Sequence, residues 1–160
     1  MQTIYDFFLQ FSAPTATFLM AMFPLTELRA SVPVAIGVFK MAPVWAALIS
    51  IAGNIVPAIF LVYFLPPLAQ FLSARSDLAK RFFDWWFGRV IKQFQEKYQK
   101  YGEWGLMVFV AIPLPMTGAW TGAVASFLFN IPPRRGLVFV GLGVIIAGII
   151  VTLLAAGIFR

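Results

Sequence analysis

The chain contains no cysteine and no histidine. That excludes disulfides, thiolate metal sites and imidazole acid–base chemistry. Charge is scarce as well: 11% of 160 residues, with six acids against twelve bases. No basic residue precedes the first apolar run, where Asp6 is the only charge, so the start does not read as a cleaved signal peptide. Missing too are the alternating ten-residue segments that a membrane barrel requires. What is present is apolar: 61% hydrophobic residues and a mean hydropathy of +0.89. A soluble domain of this length would expose too much hydrocarbon to stay dispersed, so the composition predicts an all-α polytopic membrane protein.

One stretch stands out against that background. Between Phe7 and Phe39 the only charges are Glu27 and Arg29, bracketed by Pro24 and Pro33. On insertion scales an ionised side chain at the middle of a bilayer costs roughly 2.5–3.5 kcal/mol. The prolines argue against one continuous helix there, and broken backbone at membrane depth is tolerated only where protein or a wet cavity surrounds it. An unwound tip between Pro24 and Pro33 is therefore expected, with Glu27 and Arg29 freed to serve one cavity; the alternative is a structural ion pair, or two side chains that snorkel to a nearby interface. On a regular helix, side chains two apart would point to nearly opposite sides.

Taken in order, residues 4–40 read as an interfacial aromatic helix, interrupted at Ser12-Ala13-Pro14-Thr15, followed by a hairpin that dips into the membrane and returns. Residues 44–65 are long enough to cross, with Asn54 as an interhelical contact and Pro57 as a kink, and Pro66-Pro67 stops them. Residues 73–103 form the polar region. There Phe83, Phe87, Val90, Phe94, Tyr98 and Tyr101 recur at helical steps, which predicts an amphipathic helix on the cytoplasmic bilayer surface facing anionic headgroups. Residues 105–131 are broken at their centre by Pro113-Leu114-Pro115-Met116-Thr117-Gly118, which predicts a second hairpin. Residues 137–159 cross again, and Gly141, Gly143, Ala147, Gly148 and Gly157 permit close helix contact.

The two broken segments resemble each other. Pro24-Leu25 corresponds to Pro113-Leu114, and Phe39-Lys40-Met41-Ala42-Pro43 to Phe129-Asn130-Ile131-Pro132-Pro133. With both segments re-entrant, the bases of the polar region join Arg134 and Arg135 on one side, and Lys40 and Arg160 lie on the other. The positive-inside rule favours that arrangement. The expected architecture is two opposed re-entrant helical hairpins, each followed by a transmembrane helix, as an inverted repeat with a cytoplasmic amphipathic helix between them.

The chemistry follows from the tips. Arg29 is a permanent cation suited to phosphate or another oxyanion. Glu27 can take up and release a proton, which would couple transport to a proton gradient. The returning helices are expected to start near Leu28–Ser31 and Thr117–Gly118, aiming positive helix ends at the midplane. Thr26, Thr117, Trp120 and Thr121 complete the expected substrate site, and Arg134 and Arg135 read as cytoplasmic anchors or headgroup contacts. No nucleophile–base pair or metal constellation is present, so neither an enzyme nor a cofactor is expected.

At these residues the chain resembles a known family. Glu27-Leu28-Arg29-Ala30-Ser31-Val32-Pro33 and Ile112-Pro113-Leu114-Pro115-Met116-Thr117-Gly118-Ala119-Trp120-Thr121-Gly122 are similar to the small multidrug export proteins, which look like a distant branch of the DedA (VTT-domain) superfamily. The resemblance implies two opposed re-entrant hairpins and ion-coupled translocation of undecaprenyl phosphate or other lipids. By position Glu27 matches the acid of the first hairpin, and Ile131-Pro132-Pro133-Arg134-Arg135 matches the proline–arginine element after the second. The arginine that DedA proteins carry in the second hairpin has no counterpart, since Met116, Thr117 and Gly118 occupy that region.

The expected function is thus a membrane transporter or flippase, proton-coupled, for an anionic or amphipathic lipid-like substrate such as a polyprenyl phosphate. The alternatives are an exporter of lipophilic cationic drugs that uses Glu27 as shared proton and drug site, and a non-transporting scaffold. The expected setting is the cell membrane, crossed more than once. The expected partners are the lipid bilayer, anionic headgroups and a second copy in a homo-oligomer (a dimer) joined through Gly141–Gly148, with no nucleic acid.

Overall fold

A computed structural model describes residues 11–113 and 117–158. The aromatic segment from Ile4, the stretch Leu114-Pro115-Met116 and the terminal Arg160 lie outside the described residues. Among those described, the chain forms seven helices and no strand: α1 Ala13–Met22, α2 Glu27–Gly37, α3 Pro43–Ser73, α4 Asp77–Tyr101, α5 Trp104–Ala111, α6 Ala119–Leu128 and α7 Pro133–Ile158. Two of them, α3 and α7, are long and apolar enough to cross a membrane. At 1.5 Å per residue α1, α2, α5 and α6 reach only about 12–17 Å, against about 30 Å of hydrocarbon. The chain divides into two units, Met1–Pro57 with Val144–Arg160, and Ala58–Gly143.

In the first unit α1 and α2 pack on each other. Ser12 is extended and Pro14 lies in the first turn of α1, where a missing N–H costs nothing, so this proline opens the helix rather than interrupting it. The chain leaves α1 at Phe23 and re-enters a helix at Glu27, whose N–H donates to Phe23 O at 2.8 Å. The unwound segment is therefore shorter than expected. Pro33 lies inside α2, so Glu27 and Arg29 stand on its first turn. Pro33 removes one helical hydrogen bond, the one to the Arg29 carbonyl, and the burial of Leu28, Ser31, Val32 and Ala35 on both sides of it holds the helix together. Gly53 of α3 lets α1 come close: a Cβ there would stand 2.5 Å from the Phe18 carbonyl oxygen. Gly148 of α7 likewise accepts Ile51, 2.7 Å from where its Cβ would be.

The second unit corrects a further expectation. Pro66-Pro67 does not stop α3, which runs on to Ser73. The reason is a buried face that continues through the prolines: Ala58, Leu61, Val62, Leu65 and Ala69 recur at helical spacing and are all nearly inaccessible. Ser76 caps α4 by accepting from the Ala79 N–H at 3.3 Å, and Gly102, at φ 58°, ends it. Part of the aromatic stripe of α4 is buried against protein, though Tyr101 stays exposed. Phe94 is fully buried, its ring 5.3 Å from Phe109 and 4.9 Å from Phe129. The other side of α4, with Leu78, Phe82 and Trp85, is exposed. Residues 105–129 are not one rod, since α5 ends at Ala111 and α6 begins at Ala119.

The glycines of α7 are partly committed within the chain. A Cβ at Gly143 would lie 2.6 Å from Val110, so that glycine, like Gly148, is taken up internally, whereas Gly141 and Gly157 face open space. Of the contact surface expected for a second copy, Gly141–Gly148, only Gly141 among its glycines is left open.

Candidate functional site

Glu27 begins α2 with a left-handed backbone, φ 43°. For a residue with a Cβ this conformation costs about 1–2 kcal/mol. It also explains how two side chains separated by one residue can meet. The left-handed turn swings the Glu27 side chain off the regular helix direction, and its Oε2 accepts from Arg29 Nη1 at 2.5 Å. Both ends are withdrawn from water, with side-chain exposures of 6% for Glu27 and 20% for Arg29. A carboxylate suits a helix N-terminus and a guanidinium does not, so the pair is also what makes Arg29 tolerable in the first turn. Thr26 braces the bend by donating its hydroxyl to the Met20 carbonyl.

Below the pair runs a seam of buried polar side chains. Ser31 stands four residues after Glu27 on α2, and its hydroxyl lies 2.8 Å from that of Ser50 on α3. Asn54 follows Ser50 by four residues on the same face of α3. Their exposures are 5%, 0%, 0% and 1% from Glu27 to Asn54. Neither Nδ2 nor Oδ1 of Asn54 has a hydrogen-bond partner among the described residues. An unmet buried polar group costs about 1–3 kcal/mol. Sequence reasoning took Asn54 for a contact between helices and passed over Ser31 and Ser50. The i, i+4 spacing of Ser50 and Asn54 was the available signal for one half of the seam. Nothing in the sequence announced its junction across nineteen residues.

The second bend has no such charge. Thr117 is buried and donates its hydroxyl to the Ile112 carbonyl at 2.9 Å, which closes the chain across the break. Gly118 precedes α6 with extended backbone, so the first turn of α6 starts where expected. Trp120 and Thr121 are half-buried on that turn. Arg134 and Arg135 open α7 and are exposed, and Arg135 approaches Glu103 at 3.5 Å. Exposure on that scale leaves the Arg135 pair worth little.

Of the expected site residues, the structure thus joins Glu27 to Arg29 and places Thr26 beside them in the first unit. Thr117, Trp120 and Thr121 gather at the second bend, and Arg134 and Arg135 stand apart from them at the start of α7, all in the second unit. The single cavity expected from both bends draws on residues divided between the units. Among the described residues no cluster of three acidic, histidine or cysteine side chains could hold a metal.

Chemically, the first bend offers a carboxylate and a guanidinium in contact, both largely withdrawn from water. Residues 27–150 match the model of a family described as "Putative small multi-drug export protein", a stretch that opens on Glu27 itself. No curated protein and no solved structure matches the chain.

Proposed function

The chain belongs to the small multi-drug export protein family, and from that premise we propose a proton-coupled membrane exporter of lipophilic cations with Glu27 as the shared proton and substrate site. One observation carries the reading: a buried carboxylate in contact with a neighbouring guanidinium, on the first turn of a helix too short to span. With no substrate bound, Arg29 occupies the carboxylate. A cation that reaches Glu27 takes that place, and a proton arriving from the other side expels the cation. In this scheme α1–α2 and α5–α6 dip into the bilayer as opposed hairpins of an inverted repeat, and α3 and α7 cross the cell membrane. Thr26 sets the first bend, and Thr117, Trp120 and Thr121 form its uncharged counterpart. Arg134 and Arg135 anchor the cytoplasmic face to anionic headgroups, and Gly141 with Gly157 offers the contact for a second copy.

The test is uptake of tetraphenylphosphonium into inverted proteoliposomes carrying an imposed proton gradient. Glu27→Gln is expected to abolish gradient-driven movement. Arg29→Gln is expected to retain binding at Glu27, with the cation held more tightly than in the parent. Equal gradient-driven transport by parent and Glu27→Gln would overturn the reading.

Arg29 itself favours a second reading, movement of a polyprenyl phosphate, in which a protonated Glu27 frees the guanidinium for the phosphate. That reading, the one the DedA resemblance implies, reverses the ranking of the variants. Arg29→Gln would lose transfer of undecaprenyl phosphate across the same vesicles, and tetraphenylphosphonium would not move.

A further inference from the structure

The second unit contains an open groove of about 510 Å³ between the end of α3, the first half of α4 and the end of α6. That volume lies within the range of small-molecule sites, roughly 300–1,000 Å³. Its aromatic wall is built by Phe83, Phe87 and Phe127. The rings are mutually fixed: Phe83 to Phe87 at 5.4 Å, and Phe87 to Phe127 at 5.8 Å in an edge-to-face arrangement. Opposite lie Pro66 and Pro67, with Gln70 and Ser73 beyond them.

The polarity of the groove is one-sided. Among the described residues Asp84 is the one charged residue on its wall, in a chain with twice as many bases as acids. Neither ion pair formed among the described residues involves Asp84. The nearest bases on α4, Lys80 and Arg81, lie one turn before it and do not line the groove. A base preceding an acid is the weaker order for a helical pair. Aromatic faces carry negative potential and attract cations. Carboxylate and ring faces ask for the same partner.

We infer that this groove binds a lipophilic organic cation, its charge against Asp84 and its apolar body against Phe83, Phe87 and Phe127. The position fits such a ligand. Pro66 lies seven residues before the end of α3, a helix long enough to cross a membrane, so that a crossing α3 would carry the groove toward one bilayer surface. Amphipathic cations concentrate at that depth. The inference deepens the exporter reading by giving the substrate a place outside Glu27, and its test is one of binding alone.

The experiment is equilibrium dialysis of tetraphenylphosphonium against the full chain, purified in a detergent without choline or ethanolamine. It is done in the Glu27→Gln background, so that occupancy of the first bend does not contribute. Tetraphenylborate, of the same shape and opposite charge, is measured in parallel. The expected result is preference for the cation, a loss of affinity of roughly tenfold or more on adding Asp84→Asn, and recovery with Asp84→Glu. Phe87→Leu should weaken the cation severalfold while gel filtration and melting stay those of the parent. Three results would each overturn the inference: affinity unchanged by Asp84→Asn, equal binding of the anion, or displacement of the cation by an equimolar short-chain phosphatidylethanolamine. Transport abolished by Glu27→Gln in vesicles, with unaltered dialysis results for Asp84→Asn, would leave the exporter reading standing and remove this groove from it.

Discussion

The two bends are built to one plan and differ in what they bury. Each half runs short helix, break, short helix, a left-handed residue (Lys40 at φ 53°, Asn130 at φ 54°) and then a long helix begun at a proline. The first break holds an acid and a base in contact, whereas the second is closed by a threonine hydroxyl on a backbone carbonyl. Their cores differ in the same sense. Beneath the first bend lie Ser31, Ser50 and Asn54, and around the second lie Leu106, Phe109, Val110 and Val124. Two breaks that share an element order and differ in polarity separate what the order of helices provides from what the buried side chains add.

The sharpest way to break that comparison is to delete the polar group from each bend. Removing one member of a buried ion pair leaves its partner uncompensated, at a cost of about 3 kcal/mol or more for a fully buried pair. Arg29 retains 20% exposure and recovers part of that through water. Glu27→Ala is therefore expected to lower stability by roughly 2–3 kcal/mol, and Thr117→Ala by about 1 kcal/mol, the net worth of one neutral hydrogen bond. Unfolding in mixed micelles measures both. Equal losses would mean that the ion pair holds the first bend no more firmly than the threonine hydroxyl holds the second.

Much of this was readable in advance, for identifiable reasons. The helical class, the broken segment at 112–118 and the isolation of Glu27 with Arg29 follow from composition and from the cost of charge in hydrocarbon, which act residue by residue. The start of α6 was legible because Gly118 marks it. The proline positions misled: Pro33, Pro66 and Pro67 lie inside helices because buried neighbours on either side outweigh one or two missing hydrogen bonds, and that packing has no local signature. The left-handed turn at Glu27 is likewise set by the chain around it and not by glutamate. The destination of the α4 stripe was hidden for another reason, since Phe94 satisfies the same periodicity whether it meets lipid or Phe109.

Close packing provides the next test, because glycines in both units accept neighbours. Gly53→Ala would place a methyl 2.5 Å from the Phe18 carbonyl oxygen, backbone that cannot move without shifting α1. Gly143→Ala would meet the Val110 side chain and also the Met107 carbonyl oxygen at 2.8 Å. Each should cost roughly 1–3 kcal/mol by overpacking. Gly141→Ala, next to open space, should be neutral or add up to about 1 kcal/mol of helix propensity. Melting temperatures of the three variants check the order. A Gly141→Ala variant as damaged as Gly143→Ala would show that the open face is covered in the native membrane, by lipid or by a second copy.

The smallest effect bears on the frame itself. Lys40 and Asn130 hold the same left-handed conformation at matching places before α3 and α7, and the residue types suit it unequally. Asparagine is several-fold enriched there, while lysine meets the full steric cost of its Cβ. Glycine relieves that cost but gains freedom in the unfolded chain, so the net benefit is bounded at about 1 kcal/mol. Lys40→Gly is expected to raise stability by roughly 0.5–1 kcal/mol, and Asn130→Gly to change it by less than half as much. Both are measured as shifts in the unfolding midpoint against the parent. A gain at Lys40 with none at Asn130 is what two backbone-equivalent positions with unequal side chains require. A loss at Lys40 would mean that its charge, and not the turn, fixes the junction between α2 and α3, and the equivalence of the two halves would then end at their helices.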